Sequence, residues 1–272
     1  MEQRMTAAGE QFEKLLEIMA HLRGPQGCPW DKEQTHASIC PAFLEELHEF
    51  IEAVEDHDIA AMREELGDLC LHIAFQAQVA VDNHEFGMAD ALAGINEKLV
   101  RRHPHVFGTQ QLATPEAVLH NWEQIKKTEK THQARTSVVD GIPRHLPALS
   151  KAHKLQKKVR KVGFDWNNLA DVLAKVDEEV AELRAALASG VAEHVREEIG
   201  DVLFSIVNVA RFVDVDAERA LHQTVRKFMR RFRALEEVFG ARGAKLESAT
   251  LAELDAVWNE VKQRERAAVQ QE

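Results

Sequence analysis

Apolar residues recur at helical spacing from the start of the chain. Phe12, Leu15, Leu16, Met19 and Leu22 fall on one side of a helix. Phe43, Leu47, Phe50 and Val54 follow the i, i+4, i+7, i+11 pattern of one apolar stripe, and Val176, Val180, Leu183 and Leu187 repeat it. After each striped helix comes a short polar gap, read as a connection of about ten residues that suits antiparallel packing. A segment apolar almost all round then follows, Leu66 to Val81 in one case and Ile199 to Val213 in the other. A helix of that kind belongs in the middle of a bundle. No stretch alternates with strand period long enough to make a sheet, so the predicted class is all-α.

The two striped helices belong to a repeat. Shifted by 133 residues, "FLEELHEFIEAV" (43–54) falls on "VDEEVAELRAAL" (176–187), and "EELGDLCLHIAF" (64–75) falls on "EEIGDVLFSIVN" (197–208). With small changes of shift, "EKLVRR" (97–102) matches "RKFMRR" (226–231), "NWEQIKK" (121–127) matches "VWNEVKQ" (257–263), and Trp30 finds Trp166. The period is far longer than a solenoid unit, which predicts a duplicated domain: one copy over 1–127, a linker over 128–147 holding Gly141, Pro143 and Pro147, and a second copy over 148–272.

Composition agrees with helices: 7 Pro and 13 Gly in 272 residues leave few breakers. A net charge of −11 argues against nucleic acid as a partner. No run of about 18 apolar residues suggests a membrane span, and the N-terminus lacks the basic-then-apolar order of a signal peptide. Cys28, Cys40 and Cys70 are odd in number and show no CxxC spacing, so reduced thiols and a cytoplasmic location are expected.

Four carboxylates in each copy carry the candidate chemistry. Glu46 and Glu49 are neighbours on one helix surface, and Glu65 and Asp68 have the same spacing on the next. Antiparallel packing brings the pairs together, where they repel unless a cation neutralises them. Oxygen donors favour a hard ion, Mg²⁺ or Mn²⁺. Glu179, Glu182, Glu198 and Asp201 repeat the set. A lone EExxE is usually a solvated face or complements a helix dipole. Two motifs at identical spacing in two otherwise diverged copies favour metal, and hard cations that keep waters suit phosphate chemistry.

EExxE followed by ExxD resembles the MazG family of all-α nucleoside triphosphate pyrophosphohydrolases. "GCPWDKEQT" (27–35), "EELGDL" (64–69), "RRHPHVF" (101–107), "WEQIK" (122–126), "VGFDW" (162–166) and "KFMRRF" (227–232) extend the resemblance over essentially the whole chain, to the long two-domain members. The resemblance implies two tandem MazG-like helical bundle domains in a homodimer. It also implies Mg²⁺-dependent hydrolysis of nucleoside triphosphates, ATP among them, to monophosphate and pyrophosphate with broad base tolerance. A role in nucleotide-pool cleaning or the starvation response goes with it.

By the same resemblance Glu179, Glu182, Glu198 and Asp201 are the metal ligands. Glu178 is a candidate base or a supporting partner of the ligands, and Lys175 reaches the same face toward a phosphate. Nucleotide contacts fall on Lys175, Val176, Asp177, Glu178 and Glu179, on His194, Val195, Arg196 and Glu197, on Asp201, on Lys227, Phe228, Met229, Arg230 and Arg231, and on Trp258. The first copy keeps Glu46, Glu49, Glu65 and Asp68 with Lys98, Arg101 and Arg102, but Ala42 stands where Lys175 stands. The second copy is therefore expected to be the working one, the first a metal-binding and dimerising one.

Other features read as structure. A Pro between His103 and His105 at a helix end assigns them to capping or packing, and "KAHKLQKKVRK" (151–161) reads as a solvated face. A carboxylate-bridged di-iron bundle needs ExxH on two helices. Glu45 and His48 supply one, whereas the second copy has Glu178 and Ala181. A non-enzymatic helical dimer is disfavoured by the basic set opposite intact acids, and an enzyme dedicated to dUTP or phosphoribosyl-ATP by the two-domain layout.

Overall fold

The computed structural model describes residues 2–129 and 136–269, and every regular element among them is helical. The chain divides into two compact units at residues 129 and 130. The part of the expected linker over 130–135 lies outside the described residues.

In the first unit α1 (Glu2–Arg23), the short α2 (Pro29–Glu33), α3 (His36–Glu55), α4 (Ile59–Asp82), α5 (Met88–Arg102), α6 (Pro104–Phe107) and α7 (Pro115–Thr128) follow in order. The second unit has α8 (Ala148–Arg160), α9 (Leu169–Ser189), α10 (Ala192–Phe212), α11 (Ala217–Ala241), a 3-10 turn (Leu246–Ser248) and α12 (Leu251–Val269). The centre of each unit is one antiparallel hairpin, α3 on α4 and α9 on α10. In each, the helix before the hairpin packs on its second arm: α1 on α4, and α8 on α10.

The hairpins start and turn where side chains fit the backbone. Thr35 and Ser38 form a reciprocal capping box at the start of α3, and Asn168 Oδ1 accepts the Asp171 N–H at the start of α9 (3.0 Å). The connections are shorter than the ten residues expected, only 56–58 and 190–191, because residues 59–63 and 192–196 already belong to α4 and α10. Each turn holds one left-handed residue at the same place in the repeat, His57 (φ 56°) and Gly190 (φ 70°).

Packing differs between the units. In the first, Met19, Ile39, Phe75 and Val79 form a buried cluster backed by Leu22 and Leu71. The Arg23 guanidinium lies over the Phe75 ring (5.4 Å), and its Nε meets Asp82 at 2.6 Å. In the second, Leu235, Phe239 and Val257 join α11 to α12. His103 caps the end of α5 by bonding the Leu99 carbonyl (2.7 Å) and tilts against Trp122, a capping and packing role.

The mid-bundle expectation for α4 and α10 is met on one side only. Leu66 and Ile73 of α4, and Ile199, Leu203 and Ile206 of α10, remain about half exposed. Leu221, Val225, Phe228 and Phe232 make a further exposed stripe on α11. Each hairpin thus keeps an apolar side that its own unit does not cover. No helix among the described residues is long and apolar enough to cross a membrane.

Candidate active site

Within the second unit α9 presents Glu179 and Glu182 one turn apart, and α10 presents Glu198 across the hairpin. One oxygen from each of the three lies within 4.8 Å of the others. In the first unit Glu46 and Glu49 of α3 and Glu65 of α4 do the same. The fourth acids, Asp68 and Asp201, stand one turn beyond Glu65 and Glu198 and outside these triplets. Asp68 is nevertheless close enough for its charge to act on both Glu46 and Glu65.

The electrostatics are those of carboxylates held together without enough positive charge. Desolvation, then repulsion by Glu179 and Glu198, raises the Glu182 carboxyl above its ordinary range. In the first unit desolvation, then Glu49 and Asp68, raises Glu46, and desolvation, then Glu49 and Glu46, raises Glu65. One oxygen of Glu198, Oε2, is buried with no hydrogen-bond partner. A bare buried carboxylate oxygen is costly, and a triplet of oxygen-donor side chains to which Glu198 belongs fits a hard divalent cation such as Mg²⁺.

Lys175 is the difference between the units. Its Nζ sits 2.8 Å from Glu178 and 2.8 Å from Glu179, and the two carboxylates raise its pKa further. Glu179 is only 8% exposed, and the lysine gives its carboxylate a charged partner at 2.8 Å. At the matching place the first unit has Ala42. It has instead the neutral-leaning His72, lowered by burial, 3.9 Å from Glu46 and stacked on Phe43.

The remaining predicted residues are placed as follows. Val176 and Asp177 lie on α9 between Lys175 and the acids. On the first turns of α10, His194, Arg196 and Glu197 are exposed and Val195 is half-buried, and Arg196 pairs with Glu193. Lys227 and Met229 are exposed on α11. Arg230 and Arg231 each direct Nε to one oxygen of Glu265 (2.9 and 2.6 Å). In the first unit Glu129 takes the corresponding place, accepting from Arg101 Nη2 and from both Nε and Nη2 of Arg102. Trp258 packs on Phe228 with ring centres 4.9 Å apart. The structure thus joins Lys175 to the acids directly, whereas Arg230 and Arg231 of α11 bond to α12.

Residues that the sequence reading passed over lie beside the hairpin. A cavity of about 530 Å³ is lined by Leu155, Gln156 and Val159 of α8, by residues 163–166, and by Phe204, Asn208 and Arg211 of α10. Gln156 and Arg211 are buried. The run 151–161 therefore has a solvated side and a side that faces this cavity. Arg211 had a readable signal, a charge inside an otherwise apolar helix. Gln156 had none.

Both carboxylate hairpins lie in segments that match a known protein family. Residues 34–107 and 168–235, which carry both carboxylate sets, match the MazG nucleotide pyrophosphohydrolase domain. A nucleoside triphosphate pyrophosphohydrolase of Escherichia coli is 44% identical, over 94% of this chain and 98% of its own. One from Thermotoga maritima, nucleoside triphosphate pyrophosphohydrolase/pyrophosphatase MazG, is 43% identical over 95% and 98%. A third, from Mycolicibacterium smegmatis, is 31% identical over 86% of this chain and 61% of that one. Two copies of the domain at the two acidic hairpins, with full-length relatives of the same kind, make this chain a member of the MazG nucleotide pyrophosphohydrolase family.

Proposed function

We propose that this chain is a nucleoside triphosphate pyrophosphohydrolase whose working site is the α9–α10 hairpin, with Mg²⁺ or Mn²⁺ as cofactor. The reaction is NTP + H₂O → NMP + pyrophosphate: water attacks the α-phosphorus and the bond from that phosphorus to the α,β-bridging oxygen breaks. The observation that carries the reading is the carboxylate triplet with one unpartnered buried oxygen, Glu198 Oε2, next to a lysine.

Glu179, Glu182 and Glu198 would hold the cation, with Asp201 one turn on as a fourth ligand. Bound there, a divalent cation supplies charge neutralisation of the phosphate oxygens and a lowered pKa for water. Lys175 turns from Glu179 toward a phosphate oxygen once that carboxylate has other positive charge beside it. Glu178, hydrogen-bonded to Lys175 at 2.8 Å, either steers that lysine or takes the proton of the attacking water. Lys227 and Arg231 extend the basic edge toward the leaving pyrophosphate. The stretch His194 to Glu197 and the exposed part of Trp258 complete the nucleotide contacts.

The homodimer is part of the proposal, supported by the apolar sides of α10 and α11 that remain uncovered in a single chain. The first unit holds a cation but turns over little, and broad base tolerance would suit clearing of aberrant nucleotides from the cytoplasmic pool.

The test is a panel of nucleoside triphosphates with Mg²⁺, resolving pyrophosphate from phosphate. Pyrophosphate with monophosphate, abolished by chelator and restored by Mg²⁺ or Mn²⁺, is expected. Stepwise release of phosphate through a diphosphate, or undiminished turnover after exhaustive metal removal, would refute the reading.

A further inference from the structure

Helices α1 and α8 hold the same place in the repeat, each packed on the second arm of its hairpin and each ending in an arginine, Arg23 or Arg160. Four residues earlier stand Met19 and Gln156. Met19 is 1% exposed and packs with Ile39, Phe75 and Val79. At the positions matching Ile39 and Phe75 by the 133-residue shift, the second unit has Val172 and Asn208. Two apolar core residues of one unit are thus two amides in the other. Such an exchange weakens a core unless the amides have partners.

One of them lacks a partner. Gln156 is 5% exposed and its Nε2 donates to the Phe204 carbonyl at 2.9 Å, which fixes the direction of the amide. Its Oε1 is buried with no partner. Asn208 Oδ1 by contrast accepts from Arg211 Nε (3.0 Å) and Nη2 (2.7 Å), and Arg211 also grips Asp165. These fixed polar groups line a cavity of about 530 Å³ whose other walls include Phe164, Trp166 and Phe204. That volume is ordinary for a small-molecule site, roughly 300–1,000 Å³. An oriented acceptor among aromatic walls fits a flat ring that carries an N–H. Adenine, guanine, cytosine and uracil each have one.

Asn208 follows Asp201 by seven residues, two turns along the same side of α10 and about 10 Å at the usual helical rise. A nucleotide with its phosphates at the carboxylates extends its base over such a distance. We propose that this cavity is the subsite for the base of the triphosphate. Gln156 Oε1 accepts a base N–H, and the aromatic side chains enclose the ring. The proposal rests on the hydrolytic reading given above.

Purine riboside 5′-triphosphate is ATP without the amino group and carries no base N–H. The native chain is expected to prefer ATP by about tenfold in kcat/KM, the equal of about 1.4 kcal/mol. In Gln156→Met, which places the first unit's residue there, the preference falls to about one. Phe164→Ala, at a side chain 79% exposed, keeps the fold; it raises KM for both triphosphates several-fold and leaves the preference in place. Circular dichroism checks each variant.

Equal use of the two triphosphates by the native chain would overturn the proposal. So would a preference that survives Gln156→Met but disappears in Trp258→Ala. If Gln156→Met does not fold, an unaltered KM in Phe164→Ala overturns it and a raised KM supports it. Calorimetric titration of the native chain with AMP and with purine riboside 5′-monophosphate separates the two levels. A chain that hydrolyses no triphosphate yet binds AMP about tenfold more tightly loses the catalytic reading and keeps the subsite, whereas equal binding overturns the subsite.

Discussion

Lys175→Met removes a charge from the candidate site while keeping nearly the length of the side chain. Its Nζ lies 2.8 Å from both Glu178 and Glu179, but the two arms differ in weight. The Glu178 side chain is 56% exposed, so that arm is a surface pair worth about 0.5 kcal/mol. The Glu179 side chain is 10% exposed, and losing its ion pair leaves a nearly buried carboxylate short of a partner, at about 1–3 kcal/mol. Without metal the variant should therefore lose about 2 kcal/mol. At roughly 2–4 °C per kcal/mol for large domains, Tm falls by roughly 4–8 °C.

Added Mg²⁺ supplies the missing charge at Glu179, so the deficit should shrink to a small remainder. Because lysine and cation compete for one carboxylate, the variant should also bind Mg²⁺ more tightly. Turnover moves the other way. A charged hydrogen bond to phosphate contributes about 1.5–3 kcal/mol, and its loss lowers kcat/KM about 10- to 100-fold. Thermal melts with and without Mg²⁺, calorimetric titration of Mg²⁺, and pyrophosphate release measure the three effects. An equal loss of Tm with and without Mg²⁺, or an unchanged kcat/KM, would refute the exchange of lysine for cation.

Glu182→Ala and Asp201→Ala should each cut turnover at least roughly a hundredfold with helix content intact, since a ligand carries several kcal/mol of charge stabilisation. Glu49→Ala in the first unit should change turnover little, and a collapse there would move the working site to α3 and α4. A separate expectation concerns acid. The hydrogen bond from Arg102, then that from Arg101, holds the Glu129 carboxyl at about 2, against an ordinary value of 4.5. Because the folded pKa is depressed, this contribution is fully present above about 4.5 and disappears as pH falls through about 2. Tm followed across that window should therefore decline less steeply in Glu129→Gln than in the native chain, and parallel declines would mean the pair adds nothing.

The hairpins and their acids were legible because two independent periodicities coincide in them. Apolar residues at i, i+4 and i+7 define a stripe, and carboxylates at i and i+3 sit on its border, twice over. The turns were less so: residues 59–65, mixed apolar and charged, already belong to α4, and only the Asp58 side chain, accepting the Ala60 and Ala61 N–H groups, marks its start. The apolar circumference of α10 shows that the helix needs cover, but periodicity does not say that a unit's own helices supply only half of it. Gln156 was hidden because a glutamine between Leu155 and Lys157 in a basic run has the composition of a solvated face. Its burial depends on where α8 crosses α10, which no local pattern encodes.

On the proposed reading the same scaffold is spent on stability in one unit and on chemistry in the other. At the place of Met19 and Phe75, which close an apolar core, the second unit keeps Gln156 and Asn208. Where Ala42 adds no charge, the second unit has Lys175 against Glu179. The first unit still gathers Glu46, Glu49 and Glu65, and desolvation and mutual repulsion raise two of them. That hairpin retains the demand for a cation without the lysine that would meet a phosphate. Carboxylates alone can hold a metal. The proposed hydrolysis also uses a positive group released to the phosphate and a seat for the base, and the residues proposed for both are in the second unit. A duplicated domain can diverge in this way because each unit has its own hydrophobic cluster, so polar residues admitted to one core leave the other intact.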